Sequence, residues 1–315
     1  MSIKETKEKY AKGVTSKTQF IDAMYQYHNV LFEYANELKN TEIEKIELVN
    51  GEILMTSKKT PYHAGGLQFM IDIHDKRNVP LETFNFNYYE REDSEMIFKM
   101  IKPDSHVMDI GANIGWYTVH IAAMLKDGSI HCFEPIPETY KKLKDNINLN
   151  NIKSIIANDI ALSEKKQTLT FYFDPNQSGS SSSKNITESE NIEKLELNSI
   201  TLDDYTEQKQ ISKIDFIKCD VEGAELFVFQ GATNTLKKHI PIVFTELLRK
   251  WAAKFGYHPN EIMHIFHSMG YQAFYTKDGK LNLIEAIDES TVNTNFFFLH
   301  KEKHKQLISE LCQKR

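Results

Sequence analysis

The sequence predicts an α/β protein: a doubly wound, mostly parallel sheet of seven strands, preceded by an N-terminal extension of a helix and a β-hairpin. Two observations predict it. Between residues 105 and 300, short apolar runs typical of buried strands alternate with amphipathic helical patterns, as in successive βαβ units. Before residue 85 the chain instead carries one helical pattern and one Asn-Gly turn. We therefore divide the chain into an extension at 1–84, a main domain at 85–302 and a tail at 303–315.

Composition excludes several classes of protein. The 315 residues are 41% hydrophobic and 26% charged, which is ordinary for a globular chain. The net charge of −6 argues against a nucleic-acid partner, and no run approaches the 18 or so apolar residues of a membrane span. The polar start lacks a secretory signal pattern, and the odd number of widely spaced cysteines (Cys132, Cys219 and Cys312) fits free thiols. We expect a cytoplasmic protein.

The extension has two readable elements. Apolar residues at spacings of three and four predict one amphipathic helix through Phe20, Met24, Tyr27, Leu31 and Tyr34. An Asn-Gly pair at 50–51 between alternating runs predicts a hairpin over 43–56. We interpret 72–87 as loop and short strand, leading to a helix over 92–101. We expect the extension to cover the substrate or to join two copies of the chain in a homo-oligomer.

The main domain reads as alternating strands and helices. Strands are predicted at 106–110, 129–133, 154–158, 215–220, 240–246, 272–275 and 295–299, and helices at 115–126, 137–150, 224–230 and 260–269. An insertion between the third and fourth strands carries strand patterns at 168–173 and 198–202 and a serine run at 180–183. Because ligands of open α/β sheets bind outside the carboxyl ends of the strands, residues that follow a strand are the candidate site residues.

The most informative segment is 106–118, HVMDIGANIGWYT, a strand that leads into a glycine turn and a helix start. Asp109 lies near the end of this strand, and Glu134 follows the next strand. Two acids so placed in a βαβ unit suit an adenosine-containing cofactor. A dinucleotide fold would need a glycine between Gly111 and Gly115, where Asn113 stands. The turn therefore favours a cofactor without a pyrophosphate, such as S-adenosylmethionine, and disfavours a nicotinamide oxidoreductase.

Each residue of this turn has an expected role. Gly111 and Gly115 would let the backbone approach the methionine end of the cofactor. Asp109 would accept from its ammonium group or compensate a nearby positive charge, and Glu134 would accept both ribose hydroxyls. The alternative is that the acids simply end strands and the glycines simply form a tight turn.

Six blocks of sequence occur in a family-specific order. They are VMDIGANIGWYT at 107–118, CFEP at 132–135, DIAL at 159–162, SITLDDY at 199–205, DFIKCDVEGAE at 215–225, and Glu246 at a strand end. Together they resemble the FkbM-type branch of class I S-adenosylmethionine-dependent methyltransferases, over about 85–300. The resemblance implies a Rossmann-like methyltransferase fold with an antiparallel last strand. It also implies O-methylation of a sugar, glycan or secondary-metabolite hydroxyl, with S-adenosylhomocysteine as product.

The resemblance also implies which residues hold the cofactor. They lie in the glycine turn and its helix start, after the second and third strands, and after the fourth: Asp109, Gly111, Ala112, Asn113, Gly115, Tyr117, Thr118, Glu134, Pro135, Asn158, Asp159, Ile160 and Asp220.

Three acids are the predicted catalytic residues. Methyl transfer to a hydroxyl is helped by a base, and Asp220 and Glu222 follow the fourth strand while Glu246 ends the next at the same edge. Acids that share a site raise one another's pKa toward useful base strength. We predict no metal, because no further ligands stand at a recognisable spacing. In the alternative, Asp220 caps the following helix, Glu222 pairs with a lysine, and Glu246 pairs with Arg249.

The serine run is the predicted substrate loop. Beside a cofactor crevice, Ser180, Ser181, Ser182 and Lys184 could contact a polar substrate, although such a run is also typical of a loop without contacts. A rival hypothesis from another class is a non-catalytic cofactor-binding protein whose extension binds a partner. The second acid cluster at 220–225 favours the enzyme, since a binding module does not need it.

Overall fold

A computed structural model describes residues 1–186, 188 and 192–312, apart from the side chain of Ser180. The extension begins with helices α1 (Ile3–Ala11) and α2 (Lys17–Glu37) and continues in a three-stranded antiparallel sheet of β1 (Ile43–Val49), β2 (Glu52–Ser57) and β3 (Gln68–Ile71). Each helix begins with a capping box in which a serine and an acid or amide three residues later satisfy each other's backbone N–H. The predicted helix is confirmed as α2, and α1 is additional.

The predicted hairpin is confirmed. Val49 pairs with Glu52, and the two turn residues, Asn50 and Gly51, have φ of 53° and 88°. This left-handed pair is what a two-residue hairpin turn requires, and asparagine followed by glycine adopts it at low cost.

The interpretation of 72–87 as loop and short strand is wrong over its second half. Helix α3 (Val79–Phe86) lies there, with Asn78 as its cap and Pro80 in its first turn. A proline in this position is tolerated because the first-turn N–H groups have no helical partner. Helix α4 (Arg91–Met100) then matches the predicted helix within one residue.

The main domain alternates as predicted, with extra short elements. In chain order it contains β4 (His106–Ile110), α5 (Trp116–Ala122), β5 (Ser129–Phe133), α6 (Pro137–Asn150), β6 (Ile155–Asn158), β7 (Ala161–Leu162), β8 (Gln167–Phe173), β9 (Glu193–Ile200), α7 (Leu202–Gln208), β10 (Phe216–Cys219), α8 (Glu225–Gln230), α9 (Thr233–His239), β11 (Ile242–Glu246), α10 (Arg249–Phe255), α11 (Asn260–Ser268), β12 (Tyr271–Lys277), β13 (Lys280–Ile284), β14 (Asn295–His300) and α12 (Lys305–Leu311).

The main sheet has eight strands in the order β13-β12-β14-β11-β10-β4-β5-β6, one more than predicted. From β11 to β6 the strands are parallel, and β14 is antiparallel to both of its neighbours, as the resemblance implies. The additional strand, β13, forms a hairpin with β12 across Asp278 and Gly279, which both have positive φ. An Asp-Gly pair is as good a hairpin signal as Asn-Gly, so this strand could have been predicted from the sequence.

The insertion forms a small sheet of its own in the order β7-β9-β8. The strand predicted over 198–202 starts earlier and ends at Ile200. Thr201 then accepts the N–H of Asp204 at 2.9 Å and caps α7, so Leu202 begins a helix.

Layers of helices cover both faces of the main sheet. The consecutive residues Phe296, Phe297 and Phe298 of β14 are all completely buried. Because successive side chains of a strand point to opposite faces, both faces carry core, which confirms the doubly wound arrangement. Among the described residues, no helix combines the length and apolar character that crossing a membrane requires.

Two asparagines of α6 fix the extension to the main domain. Asn150 accepts the N–H of Gln68 and donates to its carbonyl, both at 2.8 Å, and Asn146 accepts the N–H of Met70 at 2.9 Å. These side chains satisfy the free edge of β3 as another strand would. Asn146 also donates to the carbonyl of Ile114 at 2.8 Å, so the extension is joined directly to the glycine turn.

Candidate functional site

A cavity of about 1250 Å³ opens at the carboxyl ends of the parallel strands. The turns after β4, β5, β10 and β11 form its inner part. Two segments form its outer walls. One is 77–90, where the extension joins the main domain, with Arg77, Val79, Glu82, Phe86, Tyr88, Tyr89 and Glu90; the other is the insertion, with Ser178, Gly179, Ser181, Ser183, Lys184 and Asn185. The sheet topology therefore brings residues from four distant parts of the chain to one place.

The glycine turn is shaped by close backbone approach. Gly111 and Gly115 have φ of 77° and 88°. A Cβ on Gly111 would lie 1.8 Å from the carbonyl oxygen of Asp220, and one on Gly115 would lie 2.5 Å from Leu143. Asn113, at the position where a dinucleotide fold has glycine, is also left-handed, with φ of 49°. Asparagine tolerates this conformation better than other residues that carry a Cβ.

Glu134 lies against this turn and is 6% exposed. Its carboxylate accepts the backbone N–H groups of Asn113 and Ile136, each at 3.0 Å. Burial raises the pKa of Glu134 to about 7, while the two N–H donors act in the opposite direction. The side chain lines the cavity, so its remaining lone pairs face the space that a ligand would fill.

Asp109 lies beneath the cavity and does not line it. The side chain is fully buried; one carboxylate oxygen accepts from Thr118 at 2.5 Å, and the other lies 3.5 Å from the ammonium of Lys218. Of the two roles expected for Asp109, the arrangement favours compensation of a positive charge. Thr118, as its hydrogen-bond donor, is likewise fully buried away from the cavity.

Lys218 is a site residue that the sequence reasoning missed. It is 3% exposed, donates to the carbonyl of Gly111 at 2.9 Å and lies 3.4 Å from Asp220. Burial acts to lower its pKa, but the nearby carboxylates of Asp220, Asp109 and Glu90 outweigh burial and raise it. The signal was available, since a lysine within the apolar run of β10 needs an anionic partner.

Three carboxylates converge at the inner part of the cavity, and we name Asp220, Glu222 and Glu246 the carboxylate cluster. One oxygen from each lies within 4.8 Å of the others. Burial and the charges of Asp220 and Glu225 raise the pKa of Glu222 well above its usual range. Burial and the charges of Asp220, Glu222, Glu225 and Glu90 raise the pKa of Glu246 to about 10. At neutral pH the cluster therefore holds protons that isolated acids would release.

The cluster corrects the expectation about metal ligands. The spacing of Asp220 and Glu222 gives no third ligand, but β11 brings Glu246 beside them. Three carboxylate oxygens at this separation could coordinate one divalent cation. The argument from sequence spacing against a metal therefore fails, because ligands on neighbouring strands have no fixed spacing in sequence.

The helix-cap alternative for Asp220 is answered by Glu225. Its carboxylate accepts the N–H groups of Val221 and Gly223 at 3.0 and 3.1 Å, and Tyr257 donates to it at 3.3 Å. Burial raises the pKa of Glu225 to about 7. The N–H groups of Val221 and Gly223 are thus satisfied without Asp220, whose side chain lines the cavity.

Glu90 is a second residue that the sequence reasoning missed. It lines the cavity, with a left-handed backbone (φ 43°), and accepts from Tyr117 at 2.6 Å and from Asn295 at 3.1 Å. Burial raises its pKa, with a further contribution from Asp220. Its position just before α4 gives no sign in the sequence that it meets α5 and the start of β14.

The other predicted cofactor residues divide into two groups. Those that line the cavity are Gly111, Ala112, Asn113, Tyr117, Glu134, Pro135, Ile160 and Asp220; those that do not are Asp109, Gly115, Thr118, Asn158 and Asp159. Asn158 instead donates to the carbonyl of Cys132 at 3.0 Å and accepts from Tyr205 at 3.1 Å, so it fixes β6 to its neighbours. Asp159 is exposed.

The predicted substrate loop reaches the cavity with some of its residues. Ser181 and Lys184 line it. Ser182 is 1% exposed and donates to the carbonyl of Glu222 at 2.8 Å, so it anchors the loop to the turn after β10 instead of facing the cavity. The side chain of Ser180 lies outside the described part of the structure.

A buried clamp holds the two outer walls together. Asp75 of the extension is 2% exposed and accepts from the hydroxyl of Ser178 at 2.5 Å and from the N–H of Arg77 at 2.9 Å. The backbone N–H of Lys76 donates to the carbonyl of Asn176 at 3.1 Å. The wall from the extension and the wall from the insertion therefore form one unit over the cavity.

A family model described as "Methyltransferase FkbM domain" matches residues 109–273. This segment includes the glycine turn, Glu134 and the carboxylate cluster. It excludes α1 to α4 and therefore one outer wall of the cavity.

Curated relatives are similar over about half of the chain. Methyltransferase 1 of Beauveria bassiana is 28% identical over 46% of this chain and 65% of its own length. Hexuronic acid methyltransferase AglP of Haloferax volcanii is 26% identical over 47% of this chain and 58% of its own length. The 2-O-methyltransferase NoeI of Sinorhizobium fredii is 25% identical over 48% of this chain and 67% of its own length.

Proposed function

The chain belongs to the FkbM methyltransferase family, and from that premise we propose that it uses S-adenosylmethionine to methylate a hydroxyl group of a sugar, a glycan or a secondary metabolite. The observation that carries the proposal is the pairing of two different acid environments in one cavity. Glu134 against the glycine turn suits a ribose, and the carboxylate cluster suits a hydroxyl that must lose its proton.

The cavity volume supports two ligands side by side. A pocket for one small ligand usually measures about 300–1,000 Å³, and this cavity measures about 1250 Å³. We assign its inner part beside the glycine turn to the cofactor, with Glu134 accepting the ribose hydroxyls and Ile160 contacting the adenine. When bound, S-adenosylmethionine supplies a methyl group on a positively charged sulfur. The carboxylate of Asp220 in the wall of the cavity would stabilise that charge.

We propose Asp220 as the base. Its carboxylate lies 3.4 Å from the ammonium of Lys218, which compensates the negative charge, and its side chain reaches the cavity. Glu222 and Glu246 would hold protons at neutral pH because their pKa values are raised. In that form they donate hydrogen bonds and orient the acceptor, while Asp220 takes the proton of the hydroxyl that attacks.

The outer walls suit a polyhydroxylated acceptor. Phe86, Tyr88 and Tyr89, just after the extension, line the cavity beside carboxylates that can accept hydrogen bonds from hydroxyl groups. Aromatic faces and acids together match the apolar faces and the hydroxyls of a sugar ring. The names of two relatives, a hexuronic acid methyltransferase and a 2-O-methyltransferase, point to the same class of chemistry.

The location and partners are part of the proposal. The net charge of −6 supports an acceptor other than a nucleic acid. Cys132, Cys219 and Cys312 are all free thiols, which supports a cytoplasmic site of action. The second candidate, a cofactor-binding protein without catalysis, would have no use for a cluster of three acids in the cavity, among which Glu222 and Glu246 have raised pKa values.

The test is a methyl-transfer assay with methyl-labelled S-adenosylmethionine and a panel of monosaccharides, uronic acids, sugar nucleotides and phenolic compounds. We expect label in at least one sugar, in a form stable to mild alkali. An ether on a hydroxyl survives that treatment, whereas a methyl ester on a carboxylate is hydrolysed. Label only in esters or amines would overturn methylation of a hydroxyl. Binding of S-adenosylhomocysteine without any transfer to cell-extract acceptors would favour the non-catalytic alternative.

A further inference from the structure

Helix α2 is long, yet it has no buried residue. It spans 21 residues, and no other helix in the described part of the chain exceeds 14. A surface helix normally owes most of its stability to an apolar face packed against the rest of the protein. The exposure of α2 therefore indicates that something outside the described chain covers part of it.

One apolar seam of α2 is already in use. Its residues follow one another at spacings of four and three: Phe20, Met24, Tyr27, Leu31 and Tyr34. Phe20 stacks on Tyr10 of α1 at 4.4 Å between ring centroids, and Tyr34 stacks on Phe84 of α3 at 4.5 Å. Through Phe20 and Tyr34, this inner seam holds the helix to its own chain.

A second seam runs beside the first, one residue further along: Ile21, Tyr25, His28, Phe32 and Ala35. Its spacings are again four and three, the repeat of a coiled-coil interface. All five residues are exposed, with Ile21, Tyr25 and Phe32 at 53%, 55% and 53%. We name these five residues the outer seam. Nothing in the described chain packs over it.

We propose that the outer seam pairs with the outer seam of a second copy of this chain, in an antiparallel arrangement about a two-fold axis. The seam needs a partner helix with the same repeat and a similar length. The described chain offers one helix of that length, which is α2 itself. Pairing of identical seams is self-complementary and closes at two copies.

The helix dipoles favour the antiparallel orientation of two identical outer seams. Asp22, Asn29 and Asn36 flank it on one side, and Lys17, Met24 and Leu31 on the other. Parallel copies would place Lys17 of one copy near Asp22 of the other, but an exposed ion pair of this kind contributes little to association. Antiparallel copies place each of these charges opposite neutral or apolar residues and align the helix dipoles favourably.

The exposed area is sufficient for a dimer. Half-exposed side chains of this size, with Leu31 (54% exposed) at the edge of the seam, amount to roughly 500–600 Å² per copy, and the pair then exceeds the roughly 1,000 Å² of a specific interface. The seam lies outside the segment that matches the family model. The inference is therefore independent of the proposed function.

The test is sedimentation velocity of the full chain between about 1 and 100 µM. The chain has a mass of 36.6 kDa, and we expect a species of twice that mass. Replacing Tyr25 and Phe32 together by glutamate should weaken dimerisation by roughly 100-fold or more, because both lie at the centre of the interface. As matched controls, Leu48→Glu and Val292→Glu change apolar residues that are 70% and 88% exposed elsewhere, and they should leave the dimer intact.

Engineered cysteines test the orientation in a chain that keeps the native seam. In a Cys312→Ser background, His28→Cys near the two-fold axis should cross-link two copies through a disulfide. Ala35→Cys, which lies far from its own copy in an antiparallel pair, should not. Cross-linking at both positions would overturn the antiparallel orientation.

Other outcomes overturn the pairing itself. A monomer at 100 µM, or a dimer indifferent to the change at Tyr25 and Phe32, would do so. Binding of a monomeric chain to phosphatidylcholine–phosphatidylglycerol vesicles, lost in the same variant, would assign the outer seam to a lipid surface. Unchanged affinity for S-adenosylhomocysteine in each variant checks that the main domain is folded.

Discussion

Glu134 and Glu246 lie in the walls of one cavity, and burial raises the pKa of both, yet their surroundings are opposite. Two backbone N–H groups donate to Glu134, and its pKa rises only to about 7. Glu246 is surrounded by other acids, and its pKa rises to about 10. A glutamate side chain thus accepts hydrogen bonds at the glycine turn, as Glu134, and holds a proton in the carboxylate cluster, as Glu246. Neighbouring groups decide the role of a buried acid.

The largest expected effect is at the carboxylate cluster. Asp220→Asn removes the proposed base and should lower kcat by about 10²–10⁴-fold, while the affinity for S-adenosylhomocysteine stays within a few-fold. Initial rates at saturating cofactor and calorimetry measure the two quantities. Asp159→Asn, a change to an exposed acid outside the cavity, is the matched control. Turnover within five-fold of the unchanged protein would show that Asp220 is not the base.

At the glycine turn, the expected effect is a loss of cofactor affinity. Glu134→Ala removes two charge-assisted contacts to the ribose and should weaken S-adenosylhomocysteine by roughly 100-fold in calorimetry. At saturating cofactor, kcat should change much less. Glu138→Ala, at a half-exposed acid four residues further on, should have no effect. If the affinity for S-adenosylhomocysteine is unchanged in Glu134→Ala, Glu134 does not bind the ribose of the cofactor as proposed.

A smaller effect should distinguish the outer walls from the carboxylate cluster and the glycine turn. Asp75→Ala breaks the clamp to Ser178 and should raise KM for the acceptor about ten-fold, with kcat and cofactor affinity nearly unchanged. Ser178→Ala should do the same, and the double variant should be no worse than Asp75→Ala alone, since both changes remove one contact. A rise in KM for the acceptor that is matched by an equal loss of cofactor affinity would instead mean that the clamp supports the whole domain. Asp127→Ala, an exposed acid elsewhere, is the control.

The smallest effect concerns stability and pH. The pKa of Glu246 is raised in the folded state, so its stabilising contribution is complete below about 4.5 and is lost as pH rises toward about 10. Glu246→Gln should therefore match the unchanged protein at pH 5 and melt roughly 2–4 °C higher at pH 9. Differential scanning calorimetry of the cofactor-free protein measures this difference. A gain that shrinks as pH rises would contradict the assignment.

Much of the fold was readable because each element carries its own local signal. The hairpin at Asn50-Gly51 and strands β4 and β5 follow from turn chemistry and apolar runs. Helix α3 was missed because its cap and proline lie in an otherwise irregular stretch, and β13 because Asp278-Gly279 was not recognised as a turn. These signals were local and were overlooked.

The site was readable only in part, for a different reason. The glycine turn and Glu134 belong to one βαβ unit, so their spacing in sequence predicts that they lie together. Lys218 reaches the same cavity through contacts across the sheet and Glu90 reaches it from the start of α4, and no spacing in the sequence encodes those contacts. Ser182 looked like a substrate contact and proved to be an anchor, because burial is a property of the folded chain.

The sequence by itself determined the strand and helix alternation, the turn that favours a cofactor without a pyrophosphate, and the resemblance to the FkbM family. Hydrogen bonds and steric limits between near neighbours are sufficient to encode those features. Only the tertiary structure decided that Glu246 joins Asp220 and Glu222, that Asp109 faces Lys218 below the cavity, and that Asp75 closes the outer walls. The physical reason is that charge coupling and burial depend on distance in space, which the order of residues does not fix.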